Sequence, residues 1–276
     1  MEIYQAVVLG IVQGLTEFLP VSSSGHLVMG QHLFGLTEPA LFFDISLHMG
    51  TLAAVLIVFF QEIKSILLSI YTFARSRLGI RHSGAVPGEA ADLRLALFII
   101  MGSIPTAIIG LMLREISDRL FSSLSLVGLM LLVTAALLWS LKKRSTDQGR
   151  VTELTLARSI AIGFAQGLAV IPGISRSGST IVIGLHLGLS RENAAKFSFL
   201  LSLPAIAGAE LLSLKDSFAS GVHLDIATMI GTGVAFVVGY GALKLLLGIV
   251  KRGRLHFFAP YCALIGVAAI VADLII

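Results

Sequence analysis

The chain has 276 residues, 56% of them hydrophobic and only 13% charged, with a mean hydropathy of +0.93. A soluble domain of this size carries about a quarter charged residues, so a water-soluble fold is excluded and the bilayer is the solvent. The net charge of +4 does not signal nucleic acid, because the basic residues sit in short loops between apolar runs, and the single Cys262 leaves no internal disulfide or thiolate metal cage.

The first apolar region, 2–36, holds Glu17 and lacks a basic start and a small-residue cleavage site, so no cleavable signal is expected. Midway it is broken by Leu19-Pro20-Val21-Ser22-Ser23-Ser24-Gly25. Uninterrupted apolar stretches follow at 40–61, 95–113 and 120–141, each long enough to span a hydrocarbon core of about 30 Å. After the polar segment 142–158 comes a second broken region, 159–189, interrupted by Pro172-Gly173-Ile174-Ser175-Arg176-Ser177-Gly178. Three more spans are expected at 193–213, 225–250 and 257–276. Each half of a broken region is too short to cross the bilayer. Both regions therefore predict re-entrant helical hairpins, which are tolerated at membrane depth only where protein or a wet cavity satisfies the broken backbone.

The two broken regions align without a gap. Gly10, Gln13, Gly14, Leu15, Ser22, Ser24, Gly25, Gly35 and Leu36 meet Gly163, Gln166, Gly167, Leu168, Ser175, Ser177, Gly178, Gly188 and Leu189 at one constant offset, and 40–61 maps onto 193–213 at the same offset. The expected fold is thus an all-α polytopic membrane protein, a single membrane domain over 1–276 made of two repeats. Repeat one is 1–141, a cytoplasmic linker is 142–158, and repeat two is 159–276. A hairpin plus an odd number of spans makes the second repeat inverted, which places a site at the repeat interface near the midplane. Loops 62–94, 142–158 and 250–256 carry thirteen Lys and Arg against three in 114–119 and 214–224, which puts the first set in the cytoplasm. The first hairpin then enters from outside and the second from the cytoplasm, and their tips can meet.

After each break a half-helix opens on hydroxyls: Ser22, Ser23, Ser24, Gly25 and His26 in one, Ser175, Arg176, Ser177, Gly178, Ser179 and Thr180 in the other. A helix N-terminus presents free N–H groups and partial positive charge and favours anions, phosphate above all. The bland alternative is that Ser22 and Ser175 only cap their helices. Arg176 is costly at bilayer depth and its planar fork suits phosphate, although a structural pair with Glu17 is the simpler account. Glu17 and Gln13 lie one turn apart on one face. A carboxylate facing phosphate requires an intervening cation, and Mg²⁺ is commonly held by one or two carboxylates plus phosphate oxygens. His26 can carry a proton near neutral pH. Their repeat mates are Val170 for Glu17, Ser179 for His26 and Ser23 for Arg176, so the charges are not part of the duplicated scaffold. Asp44 and His48, one turn apart, are candidates to support the site from behind. Glu210, His32, His186 and Lys244 suit structural roles, and Gly102, Gly231, Gly233 and Gly239, with Pro105, suit close helix packing.

Gln13-Gly-Leu-Thr-Glu17-Phe-Leu-Pro-Val-Ser22-Ser23-Ser24-Gly25-His26 and Pro172-Gly173-Ile174-Ser175-Arg176-Ser177-Gly178-Ser179-Thr180 resemble the two signature motifs of the bacterial undecaprenyl-diphosphate phosphatases, the bacitracin-resistance family. The resemblance covers nearly the whole chain. It implies hydrolysis of undecaprenyl diphosphate to undecaprenyl phosphate and inorganic phosphate, recycling the lipid carrier for cell-wall synthesis. It also implies a need for Mg²⁺ or Ca²⁺, and a site facing the outer side of the bacterial cytoplasmic membrane. By this resemblance Glu17 matches the second acidic position, Ser23 the serine proposed as nucleophile, with direct attack by water the open alternative, and His26, Ser175, Arg176 and Thr180 other site positions. Gln13 departs from the family pattern, standing where many members have a first glutamate.

The expected catalytic set is therefore Glu17, Ser23, His26 and Arg176. Ser22, Ser24, Gly25, Ser175, Ser177, Gly178 and Thr180 are expected to bind substrate, and Glu17 with Gln13 the metal. The expected partners are a polyprenyl diphosphate and membrane lipid, with a homodimer as the oligomer to test for and no nucleic acid. A transporter or flippase of an anionic lipid or small anion is the alternative, since inverted repeats with broken helices also describe carriers. Acid-phosphatase-type lipid phosphatases are excluded: the chain contains no Arg-Pro, and Val182 stands where their motif needs His.

Overall fold

The computed structural model describes residues 1–36, 41–78, 88–116, 120–121, 123–142, 153–219 and 225–275. Of the loop cations counted above, Arg81, Arg119, Lys143, Arg144 and Arg150 lie outside this set, as does most of the linker. Eleven α-helices occur among the described residues: α1 Ile3–Phe18, α2 Ser23–Leu33, α3 Leu41–Val58, α4 Phe60–Arg77, α5 Glu89–Arg114, α6 Leu124–Trp139, α7 Leu156–Leu168, α8 Arg176–His186, α9 Arg191–Ala219, α10 Ile226–Lys251 and α11 Ala259–Ile275. A 3₁₀ turn, Leu255–Phe258, leads into α11.

Among the described residues four helical stretches are long and apolar enough to cross a membrane: Glu89–Arg114, Arg191–Ser213, Ile226–Lys251 and Leu255–Leu274. Ile100, Ile104, Ile108 and Leu111 form an exposed row along α5, as expected of a helix whose outer face meets lipid rather than water. The protein is thus a multi-pass helical membrane protein.

Two of the six expected full spans differ from expectation. The stretch 40–61 ends as a straight helix at Val58, and the chain turns through 76° into α4. Phe59 has φ −103 and ψ 21, which breaks the helix without proline or glycine. Residues 60–77, expected from 62 onward in a cytoplasmic loop, are therefore helical, with Glu62 in the first turn and Arg75 and Arg77 in the last, each sign complementing the helix dipole. The expected span at 120–141 contains a helix of only 16 residues, about 24 Å at 1.5 Å per residue and short of the roughly 30 Å core.

The breaks have local causes. Pro20 disfavours the helical region for the residue before it, and Leu19 is extended at ψ 142, so α1 stops at Phe18. In the second region the chain turns at Gly173, whose φ of 97 suits glycine and whose added Cβ would lie 2.4 Å from the Val127 carbonyl oxygen. Packing is reciprocal between the halves: α1 lies along α10, α7 along α5, and α6 along α11.

Small residues permit the close approaches. A Cβ on Gly163 would stand 1.9 Å from the Gly102 carbonyl oxygen, and Thr106 Oγ1 donates to the Gly163 carbonyl at 2.8 Å across the same α5–α7 contact. Gly102, Gly231 and Gly239 also meet neighbours closely, whereas Gly233 faces open space.

Gly163→Ala should destabilise the protein by about 2 kcal/mol, because neither facing backbone can yield. Gly208→Ala, where an added methyl meets nothing within 4 Å, should be neutral or slightly stabilising. Thermal unfolding of both variants in detergent checks the contrast.

Candidate active site

The two breaks interlock. Ser22 Oγ accepts from the backbone N–H of Gly173 at 3.0 Å, and Ser177 Oγ donates to the Phe18 carbonyl at 2.8 Å. Thr134 of α6 serves the second break from the side, donating to the Gly173 carbonyl at 2.8 Å and accepting from Ser175 N–H at 3.0 Å. Backbone groups that a broken helix leaves unpaired are thereby satisfied without water. Ser22 and Ser175 also act as N-caps, accepting from Gly25 N–H at 3.4 Å and Gly178 N–H at 3.1 Å. Among the described residues Ser22 is the one non-glycine with positive φ, at 68. Such a backbone costs about 1–3 kcal/mol and persists only where its surroundings hold it.

Between the breaks lies an ion pair. Arg176 opens α8 and sends Nη2 to Glu17 Oε1 at 2.6 Å, with its guanidinium 5.7 Å over the Phe199 ring. Glu17, on the last turn of α1, is buried. Its Oε2 accepts from Ser23 Oγ at 2.6 Å and from Gln13 Nε2 at 3.2 Å. His48 Nδ1 donates to the Asp44 carbonyl at 2.8 Å, which aims Nε2 at Glu17 Oε2, 3.7 Å away. Asp44 in turn accepts from Gln31 at 2.7 Å, so this pair braces the carboxylate from α3. Arg176 Nη1 and Gln13 Oε1 are buried without a hydrogen-bond partner. A guanidinium donor left over beside a satisfied carboxylate is a ready anchor for a further oxygen atom.

The remaining expected residues are placed as follows. Ser24 Oγ lies 3.3 Å from Ser22 Oγ, Gly25 packs its Cα face towards Gly173, and Gly178 packs towards Pro20. Thr180 Oγ1 is buried and donates to the Arg176 carbonyl at 2.8 Å, with Ser198 Oγ 2.5 Å away. Ser22, Ser175, Ser177 and Thr180 thus spend their hydroxyls on backbone and on one another. Both nitrogens of His26 are engaged away from Ser23 and Glu17: Nδ1 at 2.8 Å from the Ser22 carbonyl and Nε2 at 2.8 Å from the Tyr261 hydroxyl. Tyr261 escaped the sequence reading, since an interfacial tyrosine in an apolar helix is ordinary. Glu210 is buried, with one oxygen unpartnered.

No three His, Cys, Asp or Glu side chains among the described residues assemble as a metal cage. The donors present still fit a hard divalent ion that completes its shell with substrate oxygens: the Glu17 carboxylate, and the unpartnered Gln13 amide oxygen one turn before it.

Two broken helices locked tip to tip around a buried carboxylate–guanidinium pair, within a bundle of apolar spans, define a multi-pass membrane protein whose polar site is built at the meeting of its two halves. Residues 6–268 match the family described as Bacitracin resistance protein BacA, and the chain belongs to that family. Similar proteins include the undecaprenyl-diphosphatase of Desulforapulum autotrophicum, 55% identical over 276 residues and covering all of both chains. That of Desulfosudis oleivorans is 58% identical over 269 residues, covering 96% of this chain and 97% of the relative. That of Methanosphaera stadtmanae is 41% identical over an alignment spanning both chains fully.

Glu17→Leu leaves the Arg176 guanidinium buried without its counter-charge and should cost about 3–5 kcal/mol. Adding Arg176→Met removes the orphaned charge and should recover most of that loss. Melting temperatures of the single and double variants in one detergent decide it.

Proposed function

We propose that this chain is an undecaprenyl-diphosphate phosphatase, which hydrolyses undecaprenyl diphosphate to undecaprenyl phosphate and inorganic phosphate and so returns the lipid carrier to cell-wall synthesis. Full-length relatives named undecaprenyl-diphosphatase support the activity. The observation that carries the chemistry is the Ser23 hydroxyl 2.6 Å from Glu17, whose other oxygen is held at 2.6 Å by Arg176. A hydroxyl on a buried carboxylate, beside a guanidinium with a donor to spare, is the arrangement for an activated nucleophile with anion stabilisation.

In the reaction we infer, the Ser23 proton passes to Glu17 Oε2 as Ser23 Oγ attacks the terminal phosphorus. The bond to the bridging oxygen breaks, and that oxygen leaves as part of undecaprenyl phosphate, taking the proton from Glu17. Glu17 next accepts a proton from water as it attacks the phosphoserine. Inorganic phosphate departs, and the proton returns to Ser23 Oγ. Arg176 turns its unpartnered Nη1 to the equatorial oxygens, and His48 holds the carboxylate in place. A divalent ion, Mg²⁺ or Ca²⁺, held by Glu17 and Gln13, would neutralise charge on the phosphate oxygens. With one carboxylate and an amide in place of two carboxylates, this site presents one negative charge fewer to that ion.

The architecture we propose around this site is a pair of inverted repeats, 1–141 and 159–276, each beginning with a re-entrant hairpin. The constant sequence offset and the reciprocal packing of α1 on α10 and α7 on α5 support it. Gln13 and Gln166, mates under the offset, are both buried with an unpartnered side-chain oxygen, as twofold-related positions should be. The distribution of Lys and Arg supports an orientation with loops 62–94, 142–158 and 250–256 in the cytoplasm, and the family resemblance supports an inner-membrane site open to the outer side. The prenyl tail then lies among the lipid-facing helices. No observation favours a carrier, and a carrier gives no reason for a serine placed on a carboxylate.

Phosphate release from farnesyl or undecaprenyl diphosphate by the detergent-purified protein tests the proposal. Wild type should turn over and stop on addition of EDTA, while Ser23→Ala and Arg176→Ala should each lose about 10²–10³-fold in kcat. Folded wild type that releases no phosphate with Mg²⁺ or Ca²⁺ present sinks the enzyme assignment.

A further inference from the structure

The start of the last helix touches the first break through two adjacent side chains, and the chemistry above uses neither. Cys262 Sγ is 3.5 Å from the Pro20 carbonyl, and the Tyr261 hydroxyl is 2.8 Å from His26 Nε2 with the two rings stacked at 5.7 Å and 7°. A carbonyl oxygen only accepts. The 2.8 Å contact between His26 Nδ1 and the Ser22 carbonyl therefore places a ring hydrogen on Nδ1. In the neutral ring Nε2 is then an acceptor, and Tyr261 is its donor.

The carbonyl grasped by this imidazole belongs to the strained residue. Ser22, at φ 68, lies immediately before Ser23, caps α2 and accepts from Gly173 of the opposite break. Its backbone direction sets where Ser23 emerges and hence the contact of Ser23 Oγ with Glu17. A rotated or other-tautomer imidazole would turn a lone pair toward the carbonyl oxygen and leave it only the backbone N–H of His26, at 3.3 Å. The chain Tyr261–His26–Ser22 joins α11 to the nucleophile across 235 residues of sequence.

We propose that Tyr261 is a positioning residue for phosphoryl transfer: through its hydrogen bond it fixes the tautomer and tilt of His26, and His26 in turn holds the Ser22 backbone that delivers the Ser23 hydroxyl to Glu17. The kinetic part rests on the phosphatase reading; the tautomer does not. His26 thus works as a strut rather than as the proton carrier, the proton passing through Glu17.

Tyr261→Phe keeps the ring and its stacking and removes only the oxygen, so the fold should survive, as a melting curve will show. Two quantities are measured: kcat and KM for farnesyl diphosphate, and ¹⁵N resonances of histidine-labelled protein, with His26 assigned by the signal lost in His26→Gln. In wild type the His26 signals should be those of an Nδ1–H ring with a hydrogen-bonded Nε2. In Tyr261→Phe the Nε2 signal should move to the position of a free acceptor while kcat falls about tenfold and KM stays within about twofold. Unchanged kcat overturns the proposal. So does a fall in kcat with an unmoved His26 signal, because the loss then does not pass through the imidazole. An Nε2–H tautomer in wild type overturns it without any variant. Should wild type release no phosphate at all, the phosphatase assignment fails on its own, and a displaced or unmoved His26 signal still upholds or overturns the strut.

Discussion

The controlling constraint is that two interrupted helices must find partners for their loose backbone groups in the interior of the bundle. Each break is satisfied by the other: the Gly173 N–H by Ser22, the Phe18 carbonyl by Ser177, with Thr134 closing what remains. A buried backbone group left unsatisfied costs several kcal/mol, so these cross-bonds hold the two tips together. That firmness lets the site carry a residue with a positive φ and set a serine hydroxyl 2.6 Å from a carboxylate.

The charges follow from the same arrangement. Arg176 at the start of α8 and Glu17 at the end of α1 are brought together because the tips are, and each makes the other tolerable at depth. What remains after they pair is asymmetric. Both carboxylate oxygens are engaged, by Arg176, Ser23 and Gln13, while the guanidinium keeps one nitrogen without an acceptor. The spare guanidinium donor suits an incoming phosphate, and the spare Gln13 oxygen suits a cation beside it.

Much of this was legible from residue order, and the failures have physical reasons. Pro20 and Gly173 announced the breaks. Glu17, Ser23 and Arg176 stood out because polar groups in apolar helices need a reason. The bend at Phe59 left no such mark, because neither proline nor glycine makes it, and the charges of α4 resembled a loop when they were the terminal complements of a helix. Ser175, Ser177 and Thr180 were expected to bind substrate; order alone did not show that their hydroxyls also meet backbone groups and Ser198, since buried polar groups find the nearest partner. His26 was visible, but its partner was not. Tyr261 becomes meaningful only when α11 is laid beside α2, a juxtaposition no local pattern encodes.

The pairing of Glu17 with Arg176 spans 159 residues, which has a consequence for how the protein is made. At about 5–20 residues per second, a ribosome needs roughly ten to thirty seconds to extend the chain from the first partner to the second. Throughout that interval the nascent first half holds an acidic side chain with no cation to meet it. The N-terminal segment therefore has reason to wait in a wetter setting, at the membrane surface or in the insertion channel, and to seat itself only when the second tip arrives. The active site of this bundle cannot be complete before the second break has been made.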